Sequence, residues 1–243
     1  VALLAAAIVS SVTVDLGPYA RRYAEQFASA ELARPVRIGA LRIRLLFGRI
    51  ELEDFSIAGI HAGDRPFFVA KQLRVSLDWS TAVARRPEFT ITSVDMTDWQ
   101  MLVEKWEDED SFPRTRQRDS GPSGPSRTTT TLKYLHASRG QFSYDDHEAP
   151  WSVVAPNIDI VIRKRAQYEG EATFAGGSVS IHDFAPMWVN MNTHFVIDEG
   201  KILLDPIEIE SDGARTTAAG EVDVRHWPEM TYSVKSRLDF ERM

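Results

Sequence analysis

Hydrophobic and polar residues alternate along most of this chain, and the clearest example is the stretch 231–240, T-Y-S-V-K-S-R-L-D-F. Its apolar residues Tyr232, Val234, Leu238 and Phe240 occupy even positions, whereas every odd position is polar or charged. Successive side chains of a strand point to opposite faces. This stretch therefore predicts a strand with one apolar and one polar face.

The same two-faced pattern recurs from Val36 onward and predicts an all-β body. We expect roughly thirteen to fifteen strands, antiparallel because most connections have about two to six residues. At Asp205-Pro206 the apolar positions change from even to odd numbers, which predicts a β-bulge. The other breaks predict turns at Gly48-Arg49, Thr97-Asp98, Arg139-Gly140, Gly176-Gly177 and residues 198–200, and a short helical connector from Trp79 to Arg86.

The first fourteen residues carry no charge. As a helix they would span about 21 Å, against a hydrocarbon core of about 30 Å, so they are too short to cross a bilayer alone. Because the chain begins with valine rather than methionine, we expect a fragment of a longer polypeptide, with residues 1–14 as the outgoing end of a transmembrane anchor. Its apolar anchor residues are Leu3, Leu4, Ile8, Val9, Val12 and Val14. A signal-peptide core and a buried helix are the alternatives.

Residues 15–34 predict an amphipathic helix that begins with Asp15 as N-cap and Pro18 in the first turn, and that runs to about Leu32. Its apolar stripe has spacings of three and four and consists of Leu16, Tyr19, Tyr23, Phe27 and Ala30. Two hypotheses fit this helix. It lies on a membrane surface, or it caps the open edge of the sheet that follows.

Charged residues and turn formers fill residues 107–130, which offer little apolar surface to bury. We interpret this stretch as a flexible linker. It separates a first β segment, residues 35–106, from a second, residues 131–243.

Composition narrows the function further. The net charge is −7, which disfavours nucleic-acid binding, and the absence of cysteine removes disulfides and thiol catalysis. No catalytic motif or cofactor motif is present, so we predict a non-enzyme without a cofactor. Asp145-Asp146-His147 could suggest a metal site, but such residues are common in turns, and we predict no metal.

Several segments together resemble a known family. They are A-R-P-V-R-I-G-A-L-R-I-R (33–44), I-E-L-E-D-F-S-I-A-G (50–59), F-F-V-A-K-Q-L-R-V-S-L-D-W (67–79), F-T-I-T-S-V-D-M-T-D-W-Q-M-L-V (89–103) and S-R-G-Q-F-S-Y-D-D (138–146). In this order, behind an apolar and an amphipathic N-terminal stretch, they resemble the N-terminal region of AsmA-like proteins, the bacterial family that includes TamB. These motifs are patterns of strand and turn rather than invariant residues.

The resemblance implies a single-pass protein of the inner membrane of a diderm bacterium, with most of its mass in the periplasm. It implies a long curved antiparallel sheet that forms a trough, similar to chorein-type bridge proteins whose troughs hold phospholipid acyl chains. The family is implicated in phospholipid transport to the outer membrane, and TamB also in outer-membrane protein assembly. It has no catalytic residues to carry over.

The expected fold is thus mostly β, a long trough with an N-terminal transmembrane-plus-amphipathic helix. The alternation predicts a lipid groove lined by Val75, Leu77, Phe89, Ile91, Ile160, Ile162, Ile202, Leu204, Val222, Val224, Tyr232, Val234 and Leu238. The alternative functions are a scaffold or chaperone in outer-membrane protein assembly, which would recruit strands to a sheet edge, and a closed β-sandwich that acts as a binding module.

Overall fold

The computed structural model describes residues 17–44, 48–61, 63–78, 89–113, 130–182, 184–211, 213–223 and 230–238. These residues form one helix, α1 (Gly17–Leu32), and twelve strands. The strands are β1 (Val36–Arg44), β2 (Arg49–Ile57), β3 (Phe68–Asp78), β4 (Phe89–Lys105), β5 (Thr130–Leu132), β6 (Tyr134–Asp146), β7 (Trp151–Lys164), β8 (Tyr168–Ile181), β9 (Met187–Asp198), β10 (Lys201–Ser211), β11 (Ala214–Asp223) and β12 (Met230–Leu238). The predictions of a mostly β protein and of a helix ending at Leu32 are confirmed.

All twelve strands belong to a single open sheet with the order β1-β2-β3-β4-β6-β7-β8-β9-β10-β11-β12, and β5 pairs with β4. The β4–β5 pair is parallel, whereas the neighbours from β6 to β12 are antiparallel. The described strands therefore form one hydrogen-bonded sheet rather than two.

Packing divides the chain into two compact units. The N-terminal unit comprises Val1–Thr97 and Phe112–Leu132, and the C-terminal unit comprises Asp98–Ser111 and Lys133–Met243. The division falls within β4, at the step from Thr97 to Asp98.

In the N-terminal unit, α1 lies along the outer edge of β1. Ile38 N donates to Glu25 Oε1 at 2.7 Å, and Val36 N donates to Ser29 Oγ at 2.8 Å. Arg21 Nη1 donates to the carbonyl of Gly39 at 2.7 Å. Polar side chains of the helix thus pair with backbone groups at a sheet edge, which protects that edge from pairing with another chain. The hypothesis that the helix caps the sheet is confirmed.

Three predicted turns in this chain are wrong. β4 runs through Thr97-Asp98, β6 runs through Arg139-Gly140, and β8 runs through Gly176-Gly177. Each site has one residue with positive φ: Asp98 (52°), Arg139 (50°) and Gly176 (73°). In β6 and β8 the pairing register shifts there. A left-handed residue accommodates a β-bulge as readily as a chain reversal, so the strands continue.

Two other predictions, a bulge and a turn, are confirmed. The register of β10 shifts between Leu204 and Ile207 against both neighbours, as expected for a bulge at Asp205-Pro206. Glu199 and Gly200, with φ of 44° and 86°, connect β9 to β10 in a hairpin closed by the pair Asp198 and Lys201.

The first part of the predicted linker contacts β4. Lys105 forms a bridge with Asp110, and Ser111 is buried, with its hydroxyl accepting from Glu104 N at 2.7 Å. The flexible-linker interpretation of residues 107–130 stays a prediction, and residues 130–132 form β5. Residues 114–129 lie outside the described residues.

The predicted membrane anchor, residues 1–14, also lies outside the described residues, as does the connector from Trp79 to Arg86. Among the residues that the structure does describe, no helix combines the length and apolar character needed to cross a membrane.

Candidate functional site

One face of the C-terminal unit is apolar across seven strands. Because directly paired residues of neighbouring strands point to the same face, the pairing register defines rows of side chains. One row runs from β6 to β12 through Ala137, Ile160, Ala172, Thr193, Ile207, Ala218 and Val234. The next row contains Leu135, Ile162, Gly170, Phe195, Leu204, Gly220 and Tyr232. We call the surface made by these rows the apolar face.

A partly open cavity of about 490 Å³ lies on the apolar face. Its accessible wall consists of apolar atoms, and thirteen of its fourteen lining residues are apolar. They come from six strands and are Trp99, Met101, Phe142, Val153, Ala155, Ile158, Ile160, Ala172, Thr173, Phe174, Val179, Val189, Met191 and Ile209. Such a wall favours an apolar ligand, because it offers no hydrogen bond to a polar one.

Aromatic rings pack closely against glycines of neighbouring strands along this face. A Cβ atom at Gly170 would lie 2.4 Å from Cζ of Phe195, and one at Gly220 would lie 2.1 Å from Cδ1 of Tyr232. Both glycines are the direct cross-strand partners of these aromatics. Because glycine has no side chain, each ring can approach the backbone of the neighbouring strand closely.

Thr193 is the polar member of its row and is buried, with 3% of its surface exposed. Its hydroxyl donates to the carbonyl of Pro206, 3.0 Å away in the β10 bulge. The hydrogen bond satisfies this hydroxyl within the protein, so Thr193 does not make the face hydrophilic.

The opposite face of the same strands is charged. His136 Nε2 lies 3.1 Å from Asp159 Oδ2, Lys201 pairs with Glu221, and Arg215 Nη2 lies 3.4 Å from Glu210 Oε1. These exposed pairs each contribute little to stability. The charged pairs make this face hydrophilic, in contrast to the apolar face on the other side of the same strands.

The register places seven predicted groove residues on the apolar face: Ile160, Ile162, Ile202, Leu204, Val222, Tyr232 and Val234. Of the described residues in the predicted set, Ile160 alone lines the cavity. Tyr232 and Val234 are exposed, at 44% and 59%. The part of the Tyr232 side chain that is shielded from water raises the pKa of its phenol.

The remaining predicted groove residues are elsewhere. Val75, Leu77 and Ile91 belong to the N-terminal unit, where Val75 pairs with Ile50, and Ile91 with Leu132. Val224 and the side chains of Phe89 and Leu238 lie outside what the structure describes.

Sequence reasoning missed most of the cavity wall, including Trp99, Met101, Phe142, Phe174 and Met191. The first four of these residues lie within three positions of a positive-φ residue, Asp98, Arg139 or Gly176, at a site interpreted as a turn. One signal in the sequence could have identified them. The alternation of apolar and polar residues starts again after each of these sites, with the apolar positions shifted.

The apolar face continues past the cavity towards the start of β7. Val153 pairs with Val179, and both line the cavity. Two positions further along, Trp151 pairs with Ile181, and they are 36% and 45% exposed. The cavity is therefore one part of a longer apolar strip.

A buried carboxylate sits at this end of the strip. Asp146, 5% exposed, accepts from the backbone N–H groups of Ala149 and Glu148, each at 3.0 Å, and from the Tyr144 hydroxyl at 3.1 Å. Its partner Lys105 lies 3.4 Å away. The backbone hydrogen bond from Ala149, followed by the other donors, holds the pKa of Asp146 below its ordinary value. Burial, followed by the hydrogen bond that its hydroxyl donates to Asp146, raises the pKa of Tyr144 to about 12.

The structure also brings together Glu104, Asp145 and His147, whose ligand atoms lie within 4.8 Å of one another. Carboxylate and imidazole groups of this kind can hold a divalent cation. Contacts within the protein already engage part of the group, since His147 stacks on Trp106 with ring centroids 5.0 Å apart and its Nε2 lies 3.4 Å from Glu104 Oε1. The expectation of no metal stays a prediction.

Comparisons with known proteins add no assignment: no protein-family model matches the chain, and no curated protein matches it.

Proposed function

We propose that this chain binds phospholipid acyl chains along the apolar face of its C-terminal unit. In this proposal it is an inner-membrane-anchored, periplasmic module of a diderm bacterium, and it contributes to phospholipid transport to the outer membrane and to the biogenesis of that membrane. The observation that carries the proposal is the cavity of about 490 Å³, whose accessible wall is apolar. The resemblance to AsmA-like proteins supports the cellular setting.

The extent of the apolar face suits an extended ligand. The row from Ala137 to Val234 crosses seven strands, and its six strand spacings of about 4.8 Å give a length of about 29 Å. A bilayer core of about 30 Å contains two leaflets, so one acyl chain spans about 15 Å. A sheet curled into a trough along this row would hold an acyl chain over its full length.

Burial of methylene groups supplies the binding energy. Each CH₂ group taken out of water contributes about 0.8 kcal/mol, so a chain of ten or more contributes several kcal/mol before the cost of ordering it. No polar contact to a particular headgroup is required. We therefore expect weak discrimination between phospholipid classes.

Site-specific photo-crosslinking tests this function. A benzophenone amino acid replaces Ile160 or Val234 on the apolar face, and in matched controls it replaces the adjacent Asp159 or Lys235 on the polar face. In cells we expect phospholipid adducts at the first pair and few at the second. Equal labelling of both pairs would contradict an acyl-chain groove.

A second candidate is a scaffold or chaperone for outer-membrane protein assembly. The observation that favours it is the position of β12 at the end of the strand order, with Tyr232 and Val234 exposed. A nascent strand could add to this edge by backbone pairing. Protein purified without phospholipid that nevertheless binds unfolded barrel segments would favour this candidate over the first.

A further inference from the structure

Helix α1 carries an exposed aromatic stripe. Tyr19, Tyr23 and Phe27 are 81%, 72% and 55% exposed, and the rings of Tyr23 and Phe27 stack with their centroids 6.5 Å apart. The three residues are spaced by four and lie on one side of the helix. A surface helix of a globular protein ordinarily turns such a stripe towards the core.

The hydrogen bonds to β1 fix this inverted orientation. Arg21, Glu25 and Ser29 hold α1 on the sheet edge. At 3.6 residues per turn, the centre of this polar set lies about 160° around the helix from the centre of the aromatic stripe. The stripe therefore points away from β1, and it cannot turn inward while these three contacts persist.

We propose that the stripe of Tyr19, Tyr23 and Phe27 docks α1 onto the surface of a lipid bilayer. Tyrosine favours the membrane–water interface because its ring is apolar and its hydroxyl reaches water. Fourteen residues that carry no charge precede the helix, separated from its first residue, Gly17, by Asp15 and Leu16. The partner is the lipid surface itself and not a second protein.

Charge on the helix agrees with this partner. Arg22 is exposed and lies about 100° around the helix axis from the centre of the stripe, so only its long side chain can reach towards an anionic headgroup. The carboxylate of Glu25 is turned away to accept from Ile38 N. This inference goes beyond the proposed function, since it assigns a partner to a different surface and does not require the groove to carry lipid.

Because the chain contains no cysteine, single-cysteine labelling tests the docking directly. The variants are Tyr23→Cys and Phe27→Cys on the stripe, and Lys71→Cys at an exposed position of β3 as the control. Each is prepared in the full chain, labelled with an environment-sensitive fluorophore, and mixed with phosphatidylethanolamine–phosphatidylglycerol vesicles. Circular dichroism confirms that each variant is folded.

We expect a blue shift and brighter emission at positions 23 and 27, with quenching by a nitroxide near the lipid headgroup stronger than by one near the chain end. The emission of the label at position 71 should be the same with vesicles as without them. The proposal is overturned if the stripe labels stay water-like, or if position 71 shifts as much as they do. The crosslinking experiment at Ile160 tests the apolar face and not α1. Failure of the membrane-docking proposal is therefore distinguishable from failure of the acyl-chain proposal.

Discussion

The indole ring of Trp99 lies against the backbone of Gly140 on the neighbouring strand, so close that a Cβ atom at Gly140 would come within 2.1 Å of Cε2 of the ring. Trp99 is 4% exposed and lines the cavity. Only glycine leaves room for the ring in this position. The contact therefore ties a bulge in β6 to the wall of the candidate site.

Substitution Gly140→Ala should destabilise the protein by about 1–3 kcal/mol, because the added methyl group overpacks a site with no free space. Urea unfolding measures this. If the clash is the cause, the same substitution should cost less when Trp99 is already replaced by leucine, since neighbouring substitutions are not additive. An equal cost in both backgrounds would show that the ring is not responsible.

The edge-capping contacts of α1 give a second prediction. The double substitution Glu25→Ala and Ser29→Ala removes the acceptors for Ile38 N and Val36 N. We expect a loss of about 1–3 kcal/mol for two hydrogen bonds, and self-association through the uncovered edge of β1. Urea unfolding and sedimentation velocity measure the two effects.

The control for this experiment is Gln26→Ala, at an exposed position of the same helix. It should leave both stability and sedimentation unchanged. If the double variant behaves like this control, α1 does not protect the sheet edge.

Asp146 predicts a specific pH dependence. Its pKa in the folded protein lies below the ordinary value of 3.8, with the backbone hydrogen bond from Ala149 as the main cause. The unfolded chain therefore binds the proton more readily than the folded one. The stability that Asp146 contributes is complete above pH 3.8 and is lost as the pH falls through the lower, folded pKa.

Substitution Asp146→Asn should lower the free energy of unfolding at neutral pH by about 1–3 kcal/mol, because the N–H groups of Glu148 and Ala149 and the Tyr144 hydroxyl lose their charged acceptor. It should also make the acid limb of the stability curve flatter than in the wild type. Chemical unfolding over a pH series measures both. An unchanged acid limb would mean that Asp146 is not the group that titrates there.

The sequence predicts those features of the structure that depend on neighbouring residues, and it does not predict those that depend on contacts between distant parts of the chain. Alternation predicted the strands, and the slip at Asp205-Pro206 predicted a bulge, because both are properties of neighbouring residues. The stripe of α1 was identified, but its direction was not. That direction depends on hydrogen bonds from Glu25 and Ser29 to a strand that follows the helix.

The bulges at Arg139 and Gly176 could not be predicted from the residues around them. A residue with positive φ suits either a hairpin or a bulge. The choice depends on whether the following residues stay paired with the same strand, and on contacts such as Trp99 on Gly140. Since the register after each bulge decides which side chains share a face, most of the cavity wall could not be assigned from the sequence.

The most direct test of the central claim is mass spectrometry of the lipid that stays with the gently purified protein. Ala172→Phe introduces a ring into the cavity, and Glu171→Phe introduces the same ring at the adjacent, exposed position on the polar face. We predict that the wild type and Glu171→Phe carry phospholipid and that Ala172→Phe, still folded by circular dichroism, carries much less. A wild type free of phospholipid, or equal loading of the two variants, would contradict the account.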